Sequence, residues 1–384
     1  MTGLATAGPR LLVDCTFMLA GPHYTGIQRY LRHTLRHAQR LRGTQRTGAV
    51  TARQGQWREL AVLPAHPLEG RDALSLAPPG GPLPAILDAQ AHVLLADRFW
   101  HTGEWDALER LLQSPARITA VVYDLLSVRN PQWFAPGVGE RFARYLRRVL
   151  PRADNVVCLS DTARDDLARW AHGESLRMPP AVVVAPGHQV WDGAPGAPPV
   201  LPSAWRAGHT PFVLQVGTLE PRKNHAATLA VLQQAWAAGI DLGCLFIGQR
   251  GWLMDTFAQE LQQLPQWQHQ LVWLAECTDA ELDWCYRHAA AVLYPSAAEG
   301  YGLPLAEAAS AGTPVVAYDT PVHREVVARL DAAAQAVHLC TPGPGAMGDA
   351  LQTCLARPKD TRPAQTGPVR TWDRATRELL RAIA

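Results

Sequence analysis

Short apolar runs alternate with amphipathic stretches along most of the chain. Residues 10–13, 91–95, 118–123, 155–159 and 182–185 are apolar runs of strand length. Between them, residues 28–40, 105–113, 139–150 and 161–171 repeat apolar positions at helical spacing. The alternation resumes with apolar runs at 211–216, 242–247, 271–274, 291–294, 314–317 and 336–339, and residues 372–384 read as a closing helix. Strand–helix alternation of this kind predicts mostly parallel sheets covered by helices on both faces. Residues 44–84 read as a loop region with short strand-like pieces. Residues 187–208 are rich in Gly, Pro and Ala and have no period, which marks a linker.

The expected division is therefore an N-terminal doubly wound domain over 1–190, a linker over 191–209 and a second such domain over 210–368. Residues 369–384 are expected to pack back towards the first domain. Two Rossmann-like domains in tandem leave a cleft between the carboxyl ends of their strands, where ligands bind. A length of 384 residues suits two domains, and 47% hydrophobic against 18% charged residues suits folded cores.

Net charge is only +2, which argues against a nucleic-acid binder. That total hides an asymmetry. Residues 1–205 hold 22 Arg against 17 acidic residues, with arginines concentrated at 29–46 and 141–152. A basic amphipathic helix attracts anionic lipid headgroups, so contact with an anionic membrane stands beside a solvated Arg-rich face as the two readings. Lysine is scarce, with only Lys223 and Lys359 among 36 basic residues. The seven cysteines contain no CxxC pair, which fits small core residues in a reducing compartment. The start, MTGLATAGPR, lacks the basic-then-apolar pattern of a signal peptide, and no run of about 18 apolar residues occurs. A cytoplasmic protein is expected, with peripheral contact at the inner face of the membrane as the alternative left open.

Two stretches carry chemistry. In FVLQVGTLEPRKNH an apolar run ends at Val216, Gly217 permits a tight turn, and Arg222 and Lys223 precede a helix expected to be N-capped by Asn224. Two cations beside a helix start form an anion site. In AVLYPSAAEGYGLPLAEAASAGTPVVA a buried run leads to Glu299, then Gly300 and Gly302, then Pro304 at a helix start. Glu307 follows Glu299 by eight residues, and the spacing places it in the first helical turn. Carboxylates accept from sugar hydroxyls, and amides at a helix start donate to phosphate oxygens.

This second stretch resembles the Glu-x7-Glu motif of the family 4 retaining glycosyltransferases, which adopt the two-domain GT-B fold. The Arg222–Lys223 pair matches the same family, as does Phe246-Ile247-Gly248-Gln249-Arg250-Gly251-Trp252. In the first half, Thr25-Gly26-Ile27-Gln28-Arg29-Tyr30 and the segment from Tyr123-Asp124 to Trp133-Phe134 resemble the bacterial mannosyltransferase-like branch. The resemblance implies a nucleotide-sugar donor, with GDP-mannose the first choice, and a glycan or lipid-linked glycan acceptor in surface polysaccharide synthesis. It implies that Arg222 and Lys223 hold the diphosphate, Glu307 the ribose, and Glu299 the donor sugar. Gly217 and the backbone of Gly300, Tyr301, Gly302 and Leu303 would meet sugar and phosphate, and Gly26 would approach the phosphates. Tyr123 stands where the family carries His, and Tyr123 and Asp124 are the candidate sugar or acceptor contacts. No cofactor and no metal are expected, since no Asp-x-Asp occurs in the chain.

Other motifs compete less well. Gly343-Pro344-Gly345-Ala346-Met347-Gly348 matches a dinucleotide fingerprint in letters, but Pro344 removes a needed N–H donor and Asp360 sits in a Pro-rich stretch. His33 and His37 lack a third ligand and read as basic surface. Trp100, Trp133 and Trp252 are candidates for stacking on sugar rings. The alternatives to a transferase are a nucleotide-sugar epimerase or hydrolase, a phosphorylase of the same fold, and a non-catalytic scaffold.

Overall fold

The apolar runs become two sheets. The computed structural model describes residues 9–20, 25–60, 87–190, 196–356 and 369–384. The chain divides into one unit of Met1–Pro131, Pro136–Gly187 and Arg370–Ala384, and another of Gln132–Ala135 and His188–Val369.

The first unit runs β1 (Arg10–Asp14), α1 (Gly26–Arg42), β2 (Thr47–Arg53), β3 (Gln56–Leu60), β4 (Ala91–Leu95), α2 (Trp105–Gln113), β5 (Arg117–Val122), α3 (Leu126–Arg129), α4 (Val138–Val149), β6 (Asn155–Cys158), α5 (Asp161–Gly173) and β7 (Ala181–Val183). Its sheet order is β3-β2-β1-β4-β5-β6-β7. All pairs are parallel except β2 with β3. Val93, Leu95, Ile118, Ala120 and Val156 face Leu108, Leu111, Tyr145, Leu146 and Leu167 in one core.

The loop reading of residues 44–84 needs correction for its first part. Residues 47–60 form a hairpin whose turn, Gln54-Gly55, has both residues at positive φ. Such a turn matches the twist of the paired strands, and Gln in place of the usual Asn hid it. Residues 61–84 lie outside the described residues.

The second unit runs α6 (Ser203–Arg206), β8 (Phe212–Val216), α7 (His225–Ala237), β9 (Gly243–Ile247), α8 (Asp255–Gln263), β10 (Leu271–Leu274), α9 (Asp279–His288), β11 (Ala291–Tyr294), α10 (Leu303–Ser310), β12 (Val315–Tyr318), α11 (Pro321–Ala328), β13 (Val337–Cys340) and α12 (Pro344–Leu355). Its parallel sheet has the order β10-β9-β8-β11-β12-β13. Successive strands first step outward from β8 to β10, then restart beside β8 at β11. The order therefore reverses between β8 and β11, and the loops after those two strands flank the reversal point.

Part of the expected linker belongs to this unit. Residues 196–209 include α6, and its Trp205 is buried in a stack on Phe212 at 5.5 Å. A single aromatic in a Pro/Gly-rich stretch anchors it despite the missing period. Residues 191–195 lie outside the described residues.

The final helix, α13 (Trp372–Ala382), is part of the first unit. Thr371 caps it, and Arg370 donates to the Ala185 carbonyl at 2.8 Å. Trp372 stacks on His33 with ring centroids 4.4 Å apart. His33 is thus buried against α13 rather than basic surface, and burial, with neighbouring arginines, pushes its pKa well down.

Candidate functional site

The two loops at the reversal point of the second sheet carry the predicted cations and the first glutamate. After β8, Gly217 adopts φ +146°, a region that favours glycine. A Cβ there would lie 3.2 Å from Lys223 Cε, so the missing side chain makes room for the lysine stem. Residues 221–223 form one turn of 3-10 helix, and Asn224 follows in the left-handed conformation. The expected side-chain N-cap by Asn224 is absent; its backbone reverses the chain instead.

The loop after β11 closes on this turn. The Ala297 amide donates to the Arg222 carbonyl at 2.8 Å, and Gln215 donates to the Lys223 carbonyl at 2.8 Å. Lys223 Nζ lies 2.6 Å from Glu299 Oε1, and Arg222 Nη1 lies 2.6 Å from Glu299 Oε2. Arg222 Nη2 also lies 2.6 Å from Glu220 Oε1. Burial works against the Glu299 charge, but Arg222 and Lys223 outweigh it and hold the carboxyl well below its usual range. Two cations and two carboxylates, all largely buried, thus form one cluster with zero net charge.

Tyr294, at the end of β11, completes the cluster. Lys223 Nζ lies 3.3 Å from its hydroxyl and 5.2 Å from its ring centroid. Sequence reading took Tyr294 only as a strand end, and it missed Glu220 as the second partner of Arg222. The one available signal was that both lie inside the quoted stretches.

The Gly-x-Gly segment leads into α10. Gly302 sits at φ +105° and forms the N-cap. Leu305 and Ala306 donate back to the Gly302 carbonyl, and Pro304 has no N–H, so the Leu303 amide is the helix-end donor that these bonds leave. Tyr301 is buried. Glu307 is the fifth residue of α10, past the first turn in which the spacing placed it, because the helix begins at Leu303. It is only 3% exposed, and the Tyr286 hydroxyl on α9 donates to its Oε2 at 2.8 Å. Tyr286 was also unforeseen.

Three predicted residues lie in the first unit. Gly26 is the exposed first residue of α1. Tyr123 is buried and donates its hydroxyl to the Ala96 carbonyl at 2.6 Å, so that proton is committed within the fold. Asp124 accepts from the Leu126 amide at 2.9 Å and so shapes the start of α3. Two of the aromatic candidates, Trp100 and Trp252, are occupied too. Trp100 packs in the core on Phe142, and Trp252 donates to the Trp133 carbonyl at 2.6 Å while stacking on Phe134. Among the described residues no group of three or more metal-ligating side chains occurs, and no helix is long and apolar enough to cross a membrane. Asp360 and Lys359 lie outside the described residues.

Comparison with known proteins bears on this cluster. Residues 204–362 match the family described as Glycosyl transferases group 1, and that span contains Arg222, Lys223, Glu299 and Glu307. The chain is 33% identical over 216 residues to the serotype-specific mannosyltransferase WbdA of Escherichia coli, covering 54% of this chain and 26% of that protein. It is 26% identical over 215 residues to the O-antigen chain mannosyltransferase B of Escherichia coli, covering 55% of each. The chain thus spans about a quarter to a half of the curated relatives it matches. Among solved structures, sucrose-phosphate synthase from Thermosynechococcus elongatus aligns with a TM-score of 0.62 at 17% identity, over 98% of this chain and 94% of that one. The Anabaena protein HepE, solved with UDP and glucose, aligns with a TM-score of 0.64 at 12% identity, over 98% and 99%. At these identities the likeness is one of fold, and it is the α/β GT-B fold of two Rossmann-like units.

Proposed function

We propose that this chain is a retaining hexosyltransferase that moves a sugar, mannose first, from a nucleotide-sugar donor to a glycan or lipid-linked glycan acceptor in surface polysaccharide synthesis. The observation that carries the reading is the Arg222–Lys223–Glu299 cluster at the strand-order reversal of a Glycosyl transferases group 1 domain. The relatives named as mannosyltransferases of O-antigen chains support mannose, and hence GDP-mannose, as the first donor to try.

Charge dictates the division of labour. When the anomeric carbon parts from the donor phosphate, negative charge grows on the leaving diphosphate. Arg222 and Lys223 place two cations where that charge develops, the role a metal fills elsewhere. Arg222 offers a planar fork for phosphate oxygens, and Lys223 a compact ammonium. Glu299 stays ionised beside them, so it accepts from sugar hydroxyls and opposes the positive charge at the anomeric carbon. Glu307, oriented by Tyr286, is suited to the ribose hydroxyls of the nucleotide. Gly217, Gly302 and the Leu303 amide give backbone access to phosphate and sugar.

The test is incubation with GDP-, UDP- and dTDP-sugars, with and without a glycan acceptor, followed by nucleotide release and the anomeric configuration of the product. The reading expects release of one nucleoside diphosphate and retained configuration. No turnover of any donor overturns it, and an inverted product removes the retaining mechanism. An epimerised sugar without transfer would favour the epimerase alternative.

A further inference from the structure

Among the buried polar groups around the site, His323 stands against the Gly302 turn. Thr320 caps α11, and its hydroxyl accepts from the His323 amide at 3.3 Å, which fixes His323 in the first turn. Its ring Nδ1 lies 2.7 Å from the Tyr318 carbonyl. A carbonyl oxygen only accepts, so Nδ1 carries the proton and Nε2 presents a lone pair. His323 is 0% exposed, and Nε2 has no hydrogen-bond partner among the described residues. A buried unsatisfied acceptor is costly, and leucine would fill comparable space without it. The side chain needs a reason beyond packing.

Its neighbours supply one. The His323 ring sits 5.2 Å from the Tyr294 ring, tilted by 47°. A Cβ on Gly302 would lie 3.7 Å from His323 Cδ2 and 3.6 Å from Tyr294 Cε1, so both rings border the Gly302 turn. Tyr294 in turn touches Lys223 Nζ through its hydroxyl and lies beneath it with its ring. A continuous line therefore runs from the Tyr318 carbonyl through His323 and Tyr294 to the ammonium.

We infer that His323 is a positioning residue that fixes Lys223 through Tyr294, a role that rests on the transferase reading for its consequence in catalysis. The hydrogen bond to Tyr318 locks the His323 ring, and the locked ring sets the Tyr294 ring. Tyr294 then holds the ammonium at the place where the leaving diphosphate needs it. Burial lowers the His323 pKa, so the ring stays neutral and adds no further cation beside Lys223 and Arg222.

Scarcity of lysine makes the test direct. The chain has two lysines, so limited acetylation with acetic anhydride, read by mass spectrometry, reports the amine of Lys223 against Lys359. His323→Leu and Tyr294→Phe should each raise Lys223 labelling about threefold or more, by removing a restraint of the order of one hydrogen bond. Each should lower kcat about tenfold with KM little changed, since the held ammonium acts as the leaving group departs. The double variant should be no worse than the more damaged single variant, because both break one line. If His323→Leu does not fold, His323→Phe, which keeps an aromatic ring in that place but loses the bond to Tyr318, carries the labelling test instead. Unchanged labelling, or effects that multiply in the double variant, overturn the inference. Labelling needs no donor, so an inactive wild type would sink the transferase reading and leave this result standing.

Discussion

At the scale of single residues, the zero net charge of the cluster matters most. Arg222 and Lys223 are countered by Glu220 and Glu299, so a diphosphate that binds here competes with these carboxylates for the two cations. Glu220→Gln removes one countercharge and should tighten nucleoside diphosphate binding about three- to tenfold, measured by calorimetry. Unchanged or weaker binding would mean Glu220 does not compete with phosphate for Arg222. Glu299→Ala takes the carboxylate partner from buried Lys223, while Arg222 keeps Glu220, and should cost about 3–5 kcal/mol in denaturant unfolding, besides abolishing turnover. A loss below about 1 kcal/mol would show that solvent or movement relieves the charges. These residues were legible in the chain because their chemistry is local: two adjacent cations after a glycine turn, and two carboxylates eight apart. Their partners Tyr286 and Tyr294 were not, because a long-range hydrogen bond leaves no spacing to read, and Glu220, two residues before Arg222, reads in the chain as an ordinary loop carboxylate.

At the scale of elements, strand and helix periods gave the alternation but not the strand order that places the loops. The missed hairpin β2–β3 and the anchored α6 show the limit. Both depend on a single residue, Gln54 at positive φ and Trp205 in a stack, rather than on a repeating pattern. The ends of β1 and β4 carry a further consequence. Asp14 closes β1 and Asp97 follows β4, side by side at the strand-order reversal of the first sheet. Burial, with Asp97 nearby, raises Asp14 to about 8, and burial raises Asp97 to about 6. Both values exceed that of an unfolded aspartate, so the folded state holds extra protons. Their stabilisation is full below about pH 4 and is lost as pH rises through about 6 and about 8. Thermal unfolding followed from pH 5 to 9 should show a fall in Tm that Asp14→Asn largely removes. A wild-type Tm that stays flat over this range would contradict the raised values.

At the scale of the molecule, the basic excess of residues 1–205 is less available than its count suggests. On α4, Arg147 pairs with Glu174 at 2.7 Å, Arg148 pairs with Glu109, and Arg144 lies over the Trp105 ring. On α1, Arg32 is buried, and only Arg36 and Arg40 of its arginines are exposed. Surface charge already paired adds little to lipid attraction, which salt screens further. Flotation with anionic vesicles should therefore be weak at low salt and absent near physiological salt. Robust flotation at that salt would restore a membrane-docking face. The molecule thus concentrates its distinctive chemistry in the second unit, around one of its two lysines.

That concentration sets the decisive measurement. Calorimetric titration of GDP, UDP and dTDP into the wild type and Lys223→Ala asks whether the cluster is a diphosphate site. Binding of at least one nucleoside diphosphate, weakened roughly 10- to 150-fold by Lys223→Ala, is what loss of a charge-assisted hydrogen bond predicts. No binding by the wild type, or equal binding by both, would contradict the assignment of this site to a nucleotide-sugar donor.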